Sequence, residues 1–178
     1  QHMFEGVSTA LITPFKNGKI DYESLEKIIE HQIEGGVDGI VPLGTTGESP
    51  TVSFDEHKEY IKNVVSIVKK RTKVIAGTGA NSTEEAICLS VEAEKAGVDG
   101  LLQVNPYYNK PTQNGLISHF EAVAKSVSTP IILYNIPGRS SINFMPESIA
   151  KLLEKTSNIV AIKEATGDLA QMQRVIEL

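Results

Sequence analysis

The sequence contains no tryptophan, a modest 6% of aromatic residues and a single cysteine, Cys88. One cysteine builds neither a disulfide framework nor a cysteine-rich zinc site, so a reducing compartment is the expected setting. No apolar run approaches the roughly 18 residues that a membrane-spanning helix requires. A signal peptide's basic, then apolar, layout is also missing from the N-terminal stretch. Positive charge is not in excess: 17 Lys and Arg stand against 22 Asp and Glu, a formal net charge of −5. That balance gives no electrostatic reason to expect nucleic acid or an anionic membrane as a partner. Low-complexity stretches and linkers are absent as well, and 178 residues with 40% hydrophobic and 22% charged side chains are ordinary globular composition. The expectation is a cytoplasmic protein of one domain over 4–178, with Gln1 and His2, ahead of Met3, read as a cloning remnant.

What the sequence does have is repetition. Apolar strand-like runs recur at Ser8–Thr13, Gly39–Leu43, Val74–Gly77, Gly100–Val104, Ile131–Asn135 and Ile159–Glu164. Most are nearly continuous in Ile, Val, Leu and Ala, the pattern of strands covered on both faces in a parallel sheet. Helical periodicity fills the gaps. Leu25, Ile28, Ile29 and Ile33 share a face, as do Ile61, Val64, Val65 and Val68, and then Leu116, Phe120, Val123, Ala124 and Val127. Ser53 with Glu56, and Ser82 with Glu85, have capping-box spacing. The tetrapeptide Gly-Val-Asp-Gly occurs at Gly36–Gly39 and again at Gly97–Gly100, each time closing a helix and opening a strand. Six strand–helix units are visible, the last helix at about Asp168–Leu178. The spacing is compatible with a doubly wound sheet or with a (β/α)8 barrel, which needs eight units and typically ~250 residues.

The residues that follow the strands carry the chemistry. Gly44-Thr45-Thr46-Gly47-Glu48 offers backbone N–H groups and two hydroxyls to a carboxylate, though it also reads as a polar turn. Asn105-Pro106-Tyr107-Tyr108-Asn109-Lys110-Pro111 reads alone as a loop packed over the mouth of the sheet. In Tyr134-Asn135-Ile136-Pro137-Gly138-Arg139 the tyrosine is expected to bury its ring, and the arginine suits a bidentate carboxylate contact or solvent. Lys163 is the sharpest feature, because it ends the run Asn158–Ile162, which reads as core. A buried ammonium is costly, and the usual response is a lowered pKa that leaves a nucleophilic amine able to form a Schiff base with a carbonyl. The competing reading pairs Lys163 with Glu164 or lets it snorkel. Gly77-Thr78-Gly79-Ala80-Asn81-Ser82 imitates a dinucleotide fingerprint but matches it poorly. His31, His57 and His119 lack metal-ligand spacing and read as surface residues, Cys88 reads as helix packing, and Glu85 as half of a cap.

Taken together and in order, GTTGE, PYYNKP, YNIPGR and IKEATG make the chain resemble the dihydrodipicolinate synthase family, over essentially all of Phe4–Leu178. The resemblance implies an α/β TIM (β/α)8-barrel fold, of which only about six βα units are present here, and a pyruvate-dependent class I aldolase that needs no metal or organic cofactor. It implies Lys163 as the Schiff-base lysine and Tyr134 as the proton shuttle. Thr45 and Tyr108 become relay partners, the latter reaching in from a neighbouring subunit of a homo-oligomer. Thr45 and Thr46 would hold the pyruvate carboxylate, and Arg139 that of aspartate semialdehyde. The product would be 4-hydroxy-tetrahydrodipicolinate, on the way to diaminopimelate and lysine. Sibling enzymes such as N-acetylneuraminate lyase and keto-deoxy-sugar aldolases share the lysine and tyrosine, but Thr45-Thr46 and Arg139 favour the synthase.

The resemblance also implies a lysine feedback site lined by Ser49, His57, Asn81, Glu85 and Tyr107. Pro50 and Phe54 depart from strongly inhibited members, so weak or absent inhibition is expected. Family members carry two further βα units and a C-terminal helical segment beyond the six seen here. A competing expectation is therefore an inert fragment that keeps the motifs without the pocket.

Overall fold

A computed structural model describes residues 3–178; Gln1 and His2, read above as a cloning remnant, lie outside the described residues. Strand β1 (Ser8–Ala10) is followed by an antiparallel hairpin, β2 (Phe15–Lys16) and β3 (Lys19–Ile20). The hairpin turn is Asn17-Gly18, with φ of 54° and 74°, and both residues take the left-handed conformation that suits Asn-Gly turns. After it the chain alternates: α1 (Tyr22–Glu34), β4 (Gly39–Val41), α2 (Phe54–Val68), β5 (Lys73–Gly77), α3 (Thr83–Ala96), β6 (Gly100–Val104), α4 (Gln113–Ser126) and β7 (Ile131–Asn135). Two short helices, α5 (Pro137–Ser140) and α6 (Pro146–Leu153), lead to β8 (Ile159–Glu164) and α7 (Leu169–Glu177).

The main sheet has six strands in the order β1-β4-β5-β6-β7-β8, and every pairing is parallel. Each strand therefore pairs with the one that precedes it in the main sheet. A doubly wound sheet reverses direction at a switch point, and no reversal occurs among the described residues. The winding is that of a partial (β/α) barrel, with β1 and β8 at the two edges of the described sheet.

Alternation along the strands sorts side chains into two layers. Val74, Ala76, Leu101, Ile131 and Leu133 face the helices and join Ile61, Val64, Leu116 and Phe120 in the large core. Ile75, Leu102, Ile132 and Tyr134 face the other way and form a smaller cluster with Phe4, Val41 and Val104 packed against it. Only the second layer borders the interior of the curved sheet, so a strand residue reaches the site only if its parity is right.

That parity is reset once. Ile131 pairs with Ile159, but Ile132 pairs with Ala161, so Val160 is an extra residue in β8. A one-residue shift exchanges the two faces of everything beyond it. Because of it, Lys163 lies opposite Tyr134 and Glu164 opposite Asn135.

Several sequence expectations are corrected by the fold. The run before Lys163 is not all core, since Ile159 is buried whereas Val160 and Ala161 are exposed on the edge strand. His57 and His119 are buried, not surface residues, at 4% and 5% exposure. Each falls on its helix's apolar stripe, His57 one turn before Ile61 and His119 beside Phe120 in an edge-to-face contact. Cys88 is exposed and does not pack. The inward positions of α3 are Ala86, Leu89, Ser90 and Ala93, which leaves residue 88 outside that stripe. The capping box at Ser53 and Glu56 is complete. At Ser82 only the serine half forms, accepting from the Glu85 backbone N–H.

Candidate active site

The C-terminal ends of β4 to β8 converge on one rim, where barrel folds assemble their chemistry. After β4 the chain turns sharply at Leu43, a buried leucine in the left-handed conformation with φ of 52°. A non-glycine residue held there costs on the order of 1–3 kcal/mol, which surrounding structure must offset. Part of that support is Gly77, whose N–H donates to the Pro42 carbonyl at 2.9 Å. A Cβ on Gly77 would overlap the Leu43 carbonyl, so the loop rests directly on β5 backbone. Seated this way, Thr45 borders a small hollow with Ser49, Gly79 and Tyr134.

Beside that hollow lies a cavity of about 270 Å³ lined by Thr45, Ser49, Tyr107, Tyr108, Ile136 and Arg139, among others. Thr45, Tyr108 and Arg139, separated widely in sequence, are thus brought together. Thr46 is exposed and lies outside both linings. Tyr108 does not pack over the mouth. It is 89% exposed, with φ of 73°, on a loop where Lys110 is also left-handed. Its neighbour Tyr107 is half-buried, and burial, with the Glu85 carboxylate adding to it, raises its phenol above the ordinary value.

Tyr134 is buried to 6% exposure, and Lys163 places its Nζ 4.2 Å from the centroid of the tyrosine ring. The ammonium lies over the ring as in a cation–π contact. Partial burial lowers the Lys163 pKa, and the nearby Arg139 charge lowers it further. Glu164 is not its partner. The Glu164 carboxylate is on the opposite face, where Asn135 Nδ2 donates to it at 3.0 Å.

The residues expected at a feedback site do not stand apart from the others. Ser49 and Tyr107 line the same cavity as Thr45 and Arg139. Pro50 lines it too, and Phe54 is exposed at the start of α2. Glu85 acts on Tyr107 through its charge, and the Asn81 carbonyl accepts from Asn109 Nδ2 at 3.4 Å. His57 lies behind the rim, its Nε2–H donating to the Gly77 carbonyl at 2.7 Å. Since a carbonyl only accepts, that contact fixes the tautomer, and burial lowers the ring's pKa.

Two buried amide networks escaped sequence reading. Asn135 Oδ1 accepts from Asn105 Nδ2 at 2.8 Å and from the Phe144 N–H at 3.0 Å, while its Nδ2 reaches Asn143 Oδ1 at 2.9 Å and Glu164. Asn143 and Gln171 exchange reciprocal amide bonds at 2.8 and 2.9 Å, tying α7 to the network. Gln103 donates to Thr78 Oγ1 and Ser90 Oγ, joining β6 to α3. The available signal was an amide side chain inside an otherwise apolar strand, at Gln103 and Asn135, where burial demands partners.

Comparison with known proteins gives a consistent picture. The family model described as "Dihydrodipicolinate synthetase family" matches residues 3–178. A 4-hydroxy-tetrahydrodipicolinate synthase of Leptospira biflexa is 59% identical over 174 residues, covering 98% of this chain and 59% of that protein. The solved 4-hydroxy-tetrahydrodipicolinate synthase of Methylacidiphilum fumariolicum SolV superposes with a TM-score of 0.95 at 55% identity, over 97% of this chain and 57% of that one. The chloride-inhibited dihydrodipicolinate synthase of Acinetobacter baumannii, solved in complex with pyruvate, superposes with a TM-score of 0.94 at 47% identity, over 98% of this chain and 60% of that one. The chain thus spans 59% of the length of the Leptospira relative. A family-model match over 3–178, joined to a strand order that winds in one direction, means that the chain belongs to the dihydrodipicolinate synthetase family.

Proposed function

We propose that the chain carries the Schiff-base chemistry of a pyruvate-dependent lyase, with Lys163 as nucleophile. The observation that supports this most directly is the Lys163 amine stacked on Tyr134 at the strand ends, its pKa lowered by burial and by Arg139. A neutral amine adds to the keto carbon of pyruvate, and loss of water gives an iminium ion. That cation is an electron sink, so the methyl group releases a proton to form an enamine. Enamine carbon then attacks the aldehyde carbon of aspartate semialdehyde and makes the new C–C bond. The semialdehyde's amino group adds to the imine carbon, closes the ring and releases Lys163 as a free amine. The product is 4-hydroxy-tetrahydrodipicolinate, and one water leaves overall.

Tyr134, buried beside the Lys163 amine, is assigned the transfer of protons between these steps, as a relay that passes them on to hydrogen-bonded partners. Thr45 sits next to it across the small hollow. Thr45, which lines the cavity, provides a hydroxyl for the pyruvate carboxylate; Thr46, outside the lining, would have to turn inward to add its own, and Arg139 is the cation for the semialdehyde's carboxylate. The exposed, left-handed Tyr108 suits a role in a neighbouring copy's site, in keeping with a homo-oligomer.

Borohydride trapping tests the reading. The chain is incubated with pyruvate, reduced and digested, and the Lys163 peptide is weighed; the expected result is a reduced pyruvyl adduct on that lysine. An unmodified Lys163 peptide would count against Schiff-base chemistry and leave the inert-fragment account. Turnover with aspartate semialdehyde, set against N-acetylmannosamine, then separates the synthase from sibling aldolases.

A further inference from the structure

The face of β7 and β8 that turns toward the helices bears directly on where the reactive amine ends up. Had the ladder continued from Ile131 and Ile159 without the extra Val160, Tyr134 would face Ile162, and Lys163 would face Asn135. Burial already favours the observed ladder, because Ile162 packs against the helix-facing core and the slip would set Lys163 on that side instead. Val160 and Ala161 are exposed and add little to the choice. A buried polar contact on the same face adds to it.

The Asn135 amide is the candidate. It is fully buried. Its oxygen takes hydrogens from Asn105 and the Phe144 N–H, and its nitrogen gives one to Asn143, so the group is held in a single orientation with one donor aimed at β8. In the observed register that donor meets the Glu164 carboxylate at 3.0 Å. In the slipped register it would meet Lys163, which has no acceptor to offer. We propose that Asn135 and Glu164 are positioning residues, whose hydrogen bond across the helix-facing side of the sheet holds the bulged register that sets Lys163, and not Ile162, opposite Tyr134. The inference deepens the proposed function and rests on it for its relevance to catalysis, while its geometric content stands on the strand register alone.

Disulfide trapping reads the register without pyruvate. In a Cys88→Ser background, which removes the exposed native thiol, Tyr134→Cys is combined with either Lys163→Cys or Ile162→Cys. Facing positions on adjacent strands lie within disulfide reach. Lys163 is absent from the first pair and Ile162 from the second, so the effect of Glu164 is read within each cysteine pair and not between them. With Glu164 present, the 134/163 pair is expected to oxidise and the 134/162 pair to resist. With Glu164→Leu, the 134/163 crosslink should slow by about tenfold or more, as expected for loss of a charge-assisted hydrogen bond, and the 134/162 crosslink should appear. Glu164→Gln, which keeps an acceptor for Asn135, should restore the original preference.

The same two Glu164 variants, made with Tyr134 and Lys163 intact, should lose and regain borohydride-trapped pyruvate in parallel. An unchanged crosslink preference across all three Glu164 forms overturns the inference. If Glu164→Leu does not give a folded circular-dichroism spectrum, Asn135→Asp carries the comparison. It sets a second carboxylate against Glu164, and persistence of the 134/163 preference would again overturn the inference. Absence of pyruvate trapping in the unsubstituted chain would instead count against the proposed function, with the crosslinks still deciding the register.

Discussion

Lys163 Nζ lies 4.2 Å from the centre of the Tyr134 ring, with the two residues directly paired across β7 and β8. The contact uses the ring, whereas the proposed proton relay uses the hydroxyl, so substitution can separate the two. Tyr134→Phe keeps the ring over which the amine lies. Turnover of pyruvate and aspartate semialdehyde should fall by about tenfold to a thousandfold, the range for loss of a proton-transfer group, while the folded spectrum is kept. Steady-state kinetics check this, and an unaltered rate would remove Tyr134 from the relay.

The lysine amine should react at lower pH than a free lysine. Burial first, then the Arg139 charge, favours its neutral form, so the pH midpoint for pyruvate trapping should lie below the ordinary 10.5. Arg139→Ala removes the second cause and should move that midpoint up toward the ordinary value without reaching it. The rate of adduct formation across pH, in both forms, gives the comparison; a midpoint that does not move would show that the guanidinium is not felt at the amine.

Acid should weaken the fold through His119. Burial pushes its pKa down to about 4 from 6.5, and its buried Nε2 has no partner among the described residues. The unfolded chain therefore binds the proton more readily than the folded one. The stabilisation is complete above pH 6.5 and is lost as the pH falls toward 4. At full effect it is on the order of 3 kcal/mol. Urea unfolding between these pH values should show the decline, and His119→Leu should flatten it. His57, lowered in the same direction, contributes to what slope remains.

Gly77→Ala should disturb the loop that carries Thr45. The added methyl would strike the Leu43 carbonyl, a backbone atom that cannot swing aside. Overpacking of this kind typically costs about 1–3 kcal/mol, read as a lower urea midpoint, and pyruvate trapping should fall with it. A variant of unchanged stability and trapping would mean that the loop does not depend on this close approach.

Feedback by lysine should be weak or absent. Pro50 lines the cavity shared with Ser49 and Tyr107, and Phe54 stands exposed at the start of α2. A lysine titration of synthase activity should give little inhibition at sub-millimolar concentration, and strong inhibition in that range would overturn the expectation.

The strands and the stripe residues Leu25, Ile61 and Phe120 could be read from the sequence, because continuous apolar runs and helical spacing report burial directly. Lys163 stood out for the same reason, as a charge closing an apolar run. Its orientation could not be read, because it depends on one extra residue, Val160, in a strand whose exposure gives no alternating pattern. His57 and His119 were misjudged because a histidine's burial depends on what it meets across the helix interface, such as the Gly77 carbonyl or the Thr83 hydroxyl. Cys88 was misjudged because Ser90, a polar residue, takes the inward place that a hydrophobicity pattern would give to the thiol. The Asn135 network joins residues from 105 to 171, and no local pattern announces such a set.

Strictly sequential strand pairing has a consequence for how the molecule is made. Each described βα unit can dock on the unit completed just before it, so these units can assemble in the order in which they leave the ribosome. Thr45, Tyr108 and Tyr134 all emerge ahead of Lys163. The nascent polypeptide acquires the amine proposed as its nucleophile only after those other walls of the cleft have been translated.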